Sequence, residues 1–89
     1  MFTVLWGQEA LDELPRLWTQ ADSPIRAAIT AAMHQIDKTL AADPENTGES
    51  RGGEDRVGFV FPLGILFEVD RPKMAVRILQ VWLFRKRKS

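Results

Sequence analysis

The stretch from Arg56 to Phe84, RVGFVFPLGILFEVDRPKMAVRILQVWLF, decides the fold. It holds three β-rich runs separated by two short turn signals. In RVGFVF the apolar side chains Val57, Phe59 and Phe61 alternate and so share one face of a strand. PLG turns into ILFEV, where Ile65, Phe67 and Val69 share a face, and DRPK, marked by Pro72, turns into MAVRILQVWLF. Two hairpins in series make an antiparallel meander. Strict alternation along the last run places Val76, Ile78, Gln80, Trp82 and Phe84 on one face. It places Arg77, Leu79, Val81, Leu83 and Arg85 on the other. The first set, Trp82 included, is expected to face a helical layer as core, which leaves Arg77 and Arg85 on the open face.

Upstream, MFTVLW alternates as a short strand and Gly7 ends it. In QEALDELPRLWTQAD, Leu11, Leu14, Leu17, Trp18 and Ala21 trace one helical stripe, and Glu9, Asp12 and Glu13 suit the N-terminal end of the helix dipole. Pro15 lacks the N–H that would bond the Leu11 carbonyl, so a kink or a late helix start is expected there. SPIRAAITAAMHQIDKTLAADP predicts the longest helix. Ser23 is expected as N-cap with Pro24 at N1, and Ile25, Ala28, Ile29, Ala32, Met33, Ile36 and Leu40 hold helical spacing. Pro44 stops this helix near Ala42. ENTGESRGGEDR is polar and glycine-bearing, and is expected to be a mobile loop. The expected architecture is α+β in the order β-α-α-β-β-β, a small, mainly antiparallel sheet with both helices on one face.

Length and composition fit one globular domain over residues 1–89, with 45% hydrophobic and 27% charged residues. There is no cysteine and one histidine, so thiolate chemistry and histidine-rich metal sites are excluded, and neither a cofactor nor a metal is expected. His34 lies off the apolar stripe of its helix and reads as a half-exposed surface residue rather than a catalytic one. The glycines of RGGEDR form no phosphate loop, because no Gly-Lys-Ser/Thr follows. Neither a secretory signal nor a run long enough to span a membrane is present, so a cytoplasmic protein is expected. The zero net charge conceals a division: residues 1–50 carry three basic against eight acidic side chains, and residues 51–89 nine against four. Either the basic half meets a polyanion or an acidic covering protein, or the two halves offset one another within one globule.

The element order resembles the RelE/ParE family of bacterial type II toxins. Three pieces carry the resemblance: VLW followed by EALDELPRLW, then IDKTLAADPENTGESR, and the strand pair LGILFEVD and VRILQVW. Together they cover nearly the whole chain. The resemblance implies two helices on one face of a sheet whose concave, basic opposite face acts on a target. In some members that target is messenger RNA on the ribosome, which they cut; others inhibit DNA gyrase by binding. It also implies a cognate antitoxin that wraps a helix and an extended segment over the toxin.

Metal-free RNA cleavage needs a base for the 2′-hydroxyl, cations for the developing phosphorane charge and an acid for the leaving oxygen. Arg51 matches the Ser-Arg step of the family, and Arg77 matches its VRIL strand. Arg85 falls where cleaving relatives hold phosphate. The candidates for catalysis are Arg51, Arg56 and Glu68; those for gripping nucleic acid or another target are Arg56, Arg77, Arg85, Lys86 and Arg87. Cleaving members carry a tyrosine or histidine near the end of the last strand, whereas this chain has no tyrosine and reads Trp82-Leu83-Phe84 there. Gly64 stands roughly where the resemblance would put a catalytic arginine. Inhibition by binding is therefore at least as well supported as cleavage. Two further readings stay open: an interaction module of this fold without activity, and a single-stranded nucleic-acid binder that stacks bases on its aromatic residues.

Overall fold

The computed structural model describes residues 1–84. Strand β1 (Thr3–Trp6) leads into helices α1 (Gln8–Gln20) and α2 (Ser23–Ala42). A 3-10 turn (Pro44–Asn46) precedes strands β2 (Glu49–Gly52), β3 (Asp55–Val60), β4 (Leu63–Asp70) and β5 (Ala75–Leu83). The five strands form one sheet in the order β1-β5-β4-β3-β2. Only β1 and β5 run parallel; the other three pairings are antiparallel. The expected α+β architecture, with its helices then its meander, is what forms.

One strand was not expected. The polar segment expected to be a mobile loop contains β2, which pairs with β3 through Glu49↔Val57 and Ser50↔Arg56. Every residue of β2 is exposed, so it has no buried face to leave a period-two signal in the sequence. Gly52 and Gly53, both at positive φ, close the hairpin where an L side chain would be strained.

Helix α1 starts at Gln8, well before Pro15, so the expected late start does not occur. Pro15 and Leu11 are both exposed, which lets solvent reach the carbonyl that the proline leaves without its helical donor. The buried stripe is Ala10, Leu14, Leu17 and Ala21; Leu11 and Trp18, assigned to it from spacing, are exposed. Arg26 instead holds Trp18 from outside: its Nε donates to the Trp18 carbonyl at 2.8 Å, and its guanidinium lies 5.8 Å from the indole centroid. The N-cap of α2 is Asp22, one residue earlier than expected, and its Oδ1 accepts from the Ile25 N–H at 3.0 Å. Asp22 takes the role because Ser23 is already helical. Helix α2 ends at Ala42, as Pro44 dictates.

The core lies between the helices and one sheet face. Ile29, Ala32, Ile36 and Leu40 of α2 meet Leu63, Ile65, Phe67 and Val69 of β4 and Val76, Ile78 and Val81 of β5. Edge strand β1 is fastened to the end of α2 by Phe2 N–H donating to the Ala41 carbonyl (2.8 Å) and Trp6 Nε1–H donating to Asp37 Oδ1 (2.9 Å). Among the described residues no helix is long and apolar enough to cross a membrane.

The decisive irregularity is in β5. The register passes from Leu66↔Gln80 to Phe67↔Ile78, so Leu79 is an extra residue without a partner on β4. Such a bulge breaks the period of two. Val76 and Ile78 face the core before it, Val81 and Leu83 after it. Gln80 and Trp82 are thereby turned to the open face, beside Arg77. The expected placement of Trp82 in the core, and of Val81 and Leu83 on the open face, is corrected by this single inserted residue.

Candidate functional site

The open face of the sheet is built from the outward residues of β3, β4 and β5. Their registers give three rows across it: Asp55–Glu68–Arg77, Val57–Leu66–Gln80 and Phe59–Gly64–Trp82.

The third row is the most unusual. Phe59 and Trp82 stand on strands that flank β4, so their backbones are about 9–10 Å apart. Their ring centroids nevertheless lie 6.2 Å apart in an edge-to-face contact, because both lean over Gly64. A Cβ placed on Gly64 would come within 2.4 Å of Trp82 Cε2 and Nε1, so the indole occupies space that any side chain there would need. The aromatic contacts continue from Phe59 to Phe84 (5.1 Å) and from Phe84 to Phe61 (5.9 Å), all close to perpendicular. Phe59 is 58% and Phe61 48% exposed, large values for phenylalanine on a folded surface. Phe61 and Phe84 also line a cavity of about 540 Å³ at the end of the sheet, with Ala21, Ile25, Pro62 and Leu83. At the other end of the cluster, Trp82 and Gln80 share a shallow depression with Glu9 and Glu13 of α1.

The candidate polar residues do not converge. Arg56 pairs with Phe67 and so points to the helix side. Its Nε donates to the Thr47 carbonyl (2.8 Å) and its Nη2 to the Gly48 carbonyl (2.9 Å). Arg56, expected to serve catalysis or target binding, therefore buttresses the turn that enters β2. We predict that Arg56→Ala lowers unfolding free energy by about 1–2 kcal/mol, as expected for lost charge-assisted bonds at a half-buried site. Urea denaturation measures this, and a variant of unchanged stability would refute the structural role. Glu68 is on the open face between Asp55 and Arg77, separated by the sheet from Arg56. Arg51 is exposed and falls in the irregular part of the β2–β3 pairing, at the far edge of the sheet from Arg77.

Arg77 is exposed and on the open face, as the strand pattern implied. The regular registers bring Arg77 as one cation beside two carboxylates, Asp55 and Glu68, so the described part of this face is not the basic surface expected. Arg85, Lys86 and Arg87 lie outside the described residues. His34 is exposed on α2, away from this face. Among the described residues no group of three or more His, Cys, Asp or Glu side chains is placed to hold a metal ion. Sequence reasoning missed Phe59, Phe61 and Phe84 as site residues. The signal that could have found them is Gly64, a strand-interior glycine flanked by aromatic-rich strands, which marks a place where another group crosses the backbone closely.

No family model matches the chain, and no curated protein matches it significantly. Solved structures do. A chain of the RelBE2 toxin–antitoxin complex from Mycobacterium tuberculosis aligns with TM-score 0.68 at 19% identity, over 93% of this chain and 91% of that one. A chain of the chromosomal ParDE TA system from P. aeruginosa aligns with TM-score 0.69 at 15% identity, over 96% and 98%. The isolated E. coli RelE toxin aligns with TM-score 0.63 at 14% identity, over 99% and 89%. At such identities the alignments establish the fold, and the fold is that of RelE- and ParE-type structures.

Proposed function

We propose that this chain is the toxin of a type II toxin–antitoxin pair, that it inhibits growth by binding a target rather than by cutting RNA, and that a cognate antitoxin neutralises it. The fold supports the first part, since similar structures are a RelE toxin and chains of toxin–antitoxin complexes. The observation that carries the binding mode is the Phe59–Gly64–Trp82 row. General acid–base cleavage needs an acid, a base and a cation converging on one phosphate. On this open face an indole instead covers the strand where the resemblance would put a catalytic arginine, and Arg56 is committed to backbone carbonyls. On the described part of this face aromatic rings outnumber cations, an arrangement that suits recognition of a macromolecule. DNA gyrase is a target class of that kind, and ribosome-bound messenger RNA is the alternative.

The experiment is inducible expression in a bacterial host, with and without whatever small protein the neighbouring reading frame is found to encode. Growth arrest that the neighbour relieves, with messenger RNA left intact by primer extension, is the expected result. Arrest accompanied by codon-specific cuts would overturn the binding mode. Unimpeded growth would overturn the toxin reading and leave an inactive interaction module.

A further inference from the structure

The two edges of the sheet are built differently. Edge strand β2 carries Glu49 and Arg51, has an irregular register between Ser50 and Gly52, and ends in a glycine at positive φ. Charges and irregularities of that kind keep a strand edge from pairing with another chain. The opposite edge, β1, reads Thr3-Val4-Leu5-Trp6, with no charge, no proline and a regular register against β5. Thr3 N–H donates to the Met74 carbonyl (2.9 Å) and Gly7 N–H to the Ile78 carbonyl (2.8 Å). A parallel ladder uses alternate residues of a strand, so Thr3, Leu5 and Gly7 spend their backbone groups on β5, and those of Val4 and Trp6 point outward. Leu5 stands between them on the open face, beside Arg77, and is 47% exposed. The basic residues after Phe84 do not reach this edge. Phe84 lies more than about 20 Å along β5 from Val76, the partner of Val4, and five residues span at most about 18 Å.

We infer that β1 is a self-association edge, on which a second copy of this chain pairs antiparallel about a two-fold axis at Leu5 and joins two sheets into one. In that register Val4 meets Trp6 of the second copy. Each N–H and C=O left outward on one copy then finds its counterpart on the other. On the helix side Val4 and Trp6, which already pack against the core, form an aromatic–β-branched pair across the new ladder. On the open face the two Leu5 side chains meet at the axis as a non-hydrogen-bonded pair, the closest kind. Charge favours the same arrangement. Residues 2–7 are uncharged, so the strands bring no like charges together. Asp37, held at this edge by Trp6 Nε1–H, and its neighbour Lys38 are both exposed and give the two α2 helices opposite charges to exchange. So short a strand pair buries less than the roughly 1,200–2,000 Å² of stable complexes, which makes the dimer weak, with a midpoint on the order of 100 µM. The inference goes beyond the toxin reading and does not need it, since self-association and growth arrest are measured separately.

The test is sedimentation equilibrium of the full chain across that concentration range, joined to cross-linking. The wild type is expected to pass from monomer to dimer. Leu5→Lys sets two like charges on the axis and is expected to weaken association by about tenfold or more. The exposure of Leu5 makes that variant safe for folding, which circular dichroism checks. The chain has no cysteine, so a single introduced one reports one contact. Leu5→Cys is expected to form a symmetric disulfide under mild oxidation, because residues paired at the axis lie about 4.5 Å apart at Cα, within disulfide reach. Ser50→Cys, on the guarded edge, is expected to stay monomeric under the same conditions. A wild type still monomeric at about ten times the expected midpoint would overturn the proposal. So would a dimer that Leu5→Lys leaves intact, or cross-linking of Ser50→Cys as fast as that of Leu5→Cys. A chain monomeric alone, whose Leu5→Lys variant loses a different protein partner, would overturn it too, since that partner would then own the edge.

Discussion

Gly64→Ala is expected to destabilise the protein by about 1–3 kcal/mol, the usual cost of forcing an extra carbon into a filled space. The added methyl has nowhere to go. Its position lies 2.4 Å from two atoms of the Trp82 indole, and the ring is held there by Phe59 from across the strand. The usual effect has the opposite sign, because replacing glycine by alanine at a compatible backbone position gains about 0.4–1 kcal/mol through the unfolded state. Gly64 is not among the positive-φ glycines, so its backbone is compatible. Removing the indole should therefore reverse the sign. In a Trp82→Ala background, Gly64→Ala is expected to be neutral or stabilising, and urea denaturation of the four proteins in the cycle measures the coupling. If Gly64→Ala were neutral with Trp82 in place, the indole would not be seated on Gly64, and the binding argument built on that row would fall with it.

Phe67→Ala is expected to cost about 3–5 kcal/mol. The side chain is fully buried at the centre of β4, packed among the core residues of α2 and β5. A chain of this length has a total stability of about 4–13 kcal/mol, so losing one ring removes about a quarter of it or more and can unfold the protein outright. Thermal melting followed by circular dichroism is the measurement, with Phe59→Ser as control. Both substitutions remove a phenylalanine from the sheet, but Phe59 already meets water, so its loss should leave the transition nearly in place. Equal effects at the two positions would contradict the division of the sheet into a core face and an open face.

Much of this fold is written in local pattern. The stripe of α2, its proline stop and the outward Arg77 followed from spacing alone and are present as expected. So is the inward set Ile65, Phe67 and Val69. Period and punctuation suffice where a segment has one buried face and regular geometry. The failures have equally definite causes. Strand β2 was hidden because it buries nothing, so pairing rather than hydrophobicity makes it a strand. Arg56 looked like a free cation because its partners, the Thr47 and Gly48 carbonyls, come from a turn nine and eight residues away. Spacing on α1 admits Trp18 to the apolar stripe, whereas Arg26 of the next helix holds it at the surface.

The candidate site shows the same division most sharply. By itself the sequence determined that aromatic residues and a glycine sit in three adjoining strands, that acid–base partners of the expected kind are absent, and that arginines occur at Arg51, Arg56 and Arg77. Which of these share a surface was a tertiary decision. One extra residue, Leu79, turned the end of β5 over, exchanging Val81 and Leu83 for Gln80 and Trp82 on the open face. The cause lies in the register between β4 and β5, because the core needs both Ile78 and Val81 inward and strict alternation cannot supply that pair. A three-residue step between two inward side chains can be met only by a bulge, and packing against the helices settles it.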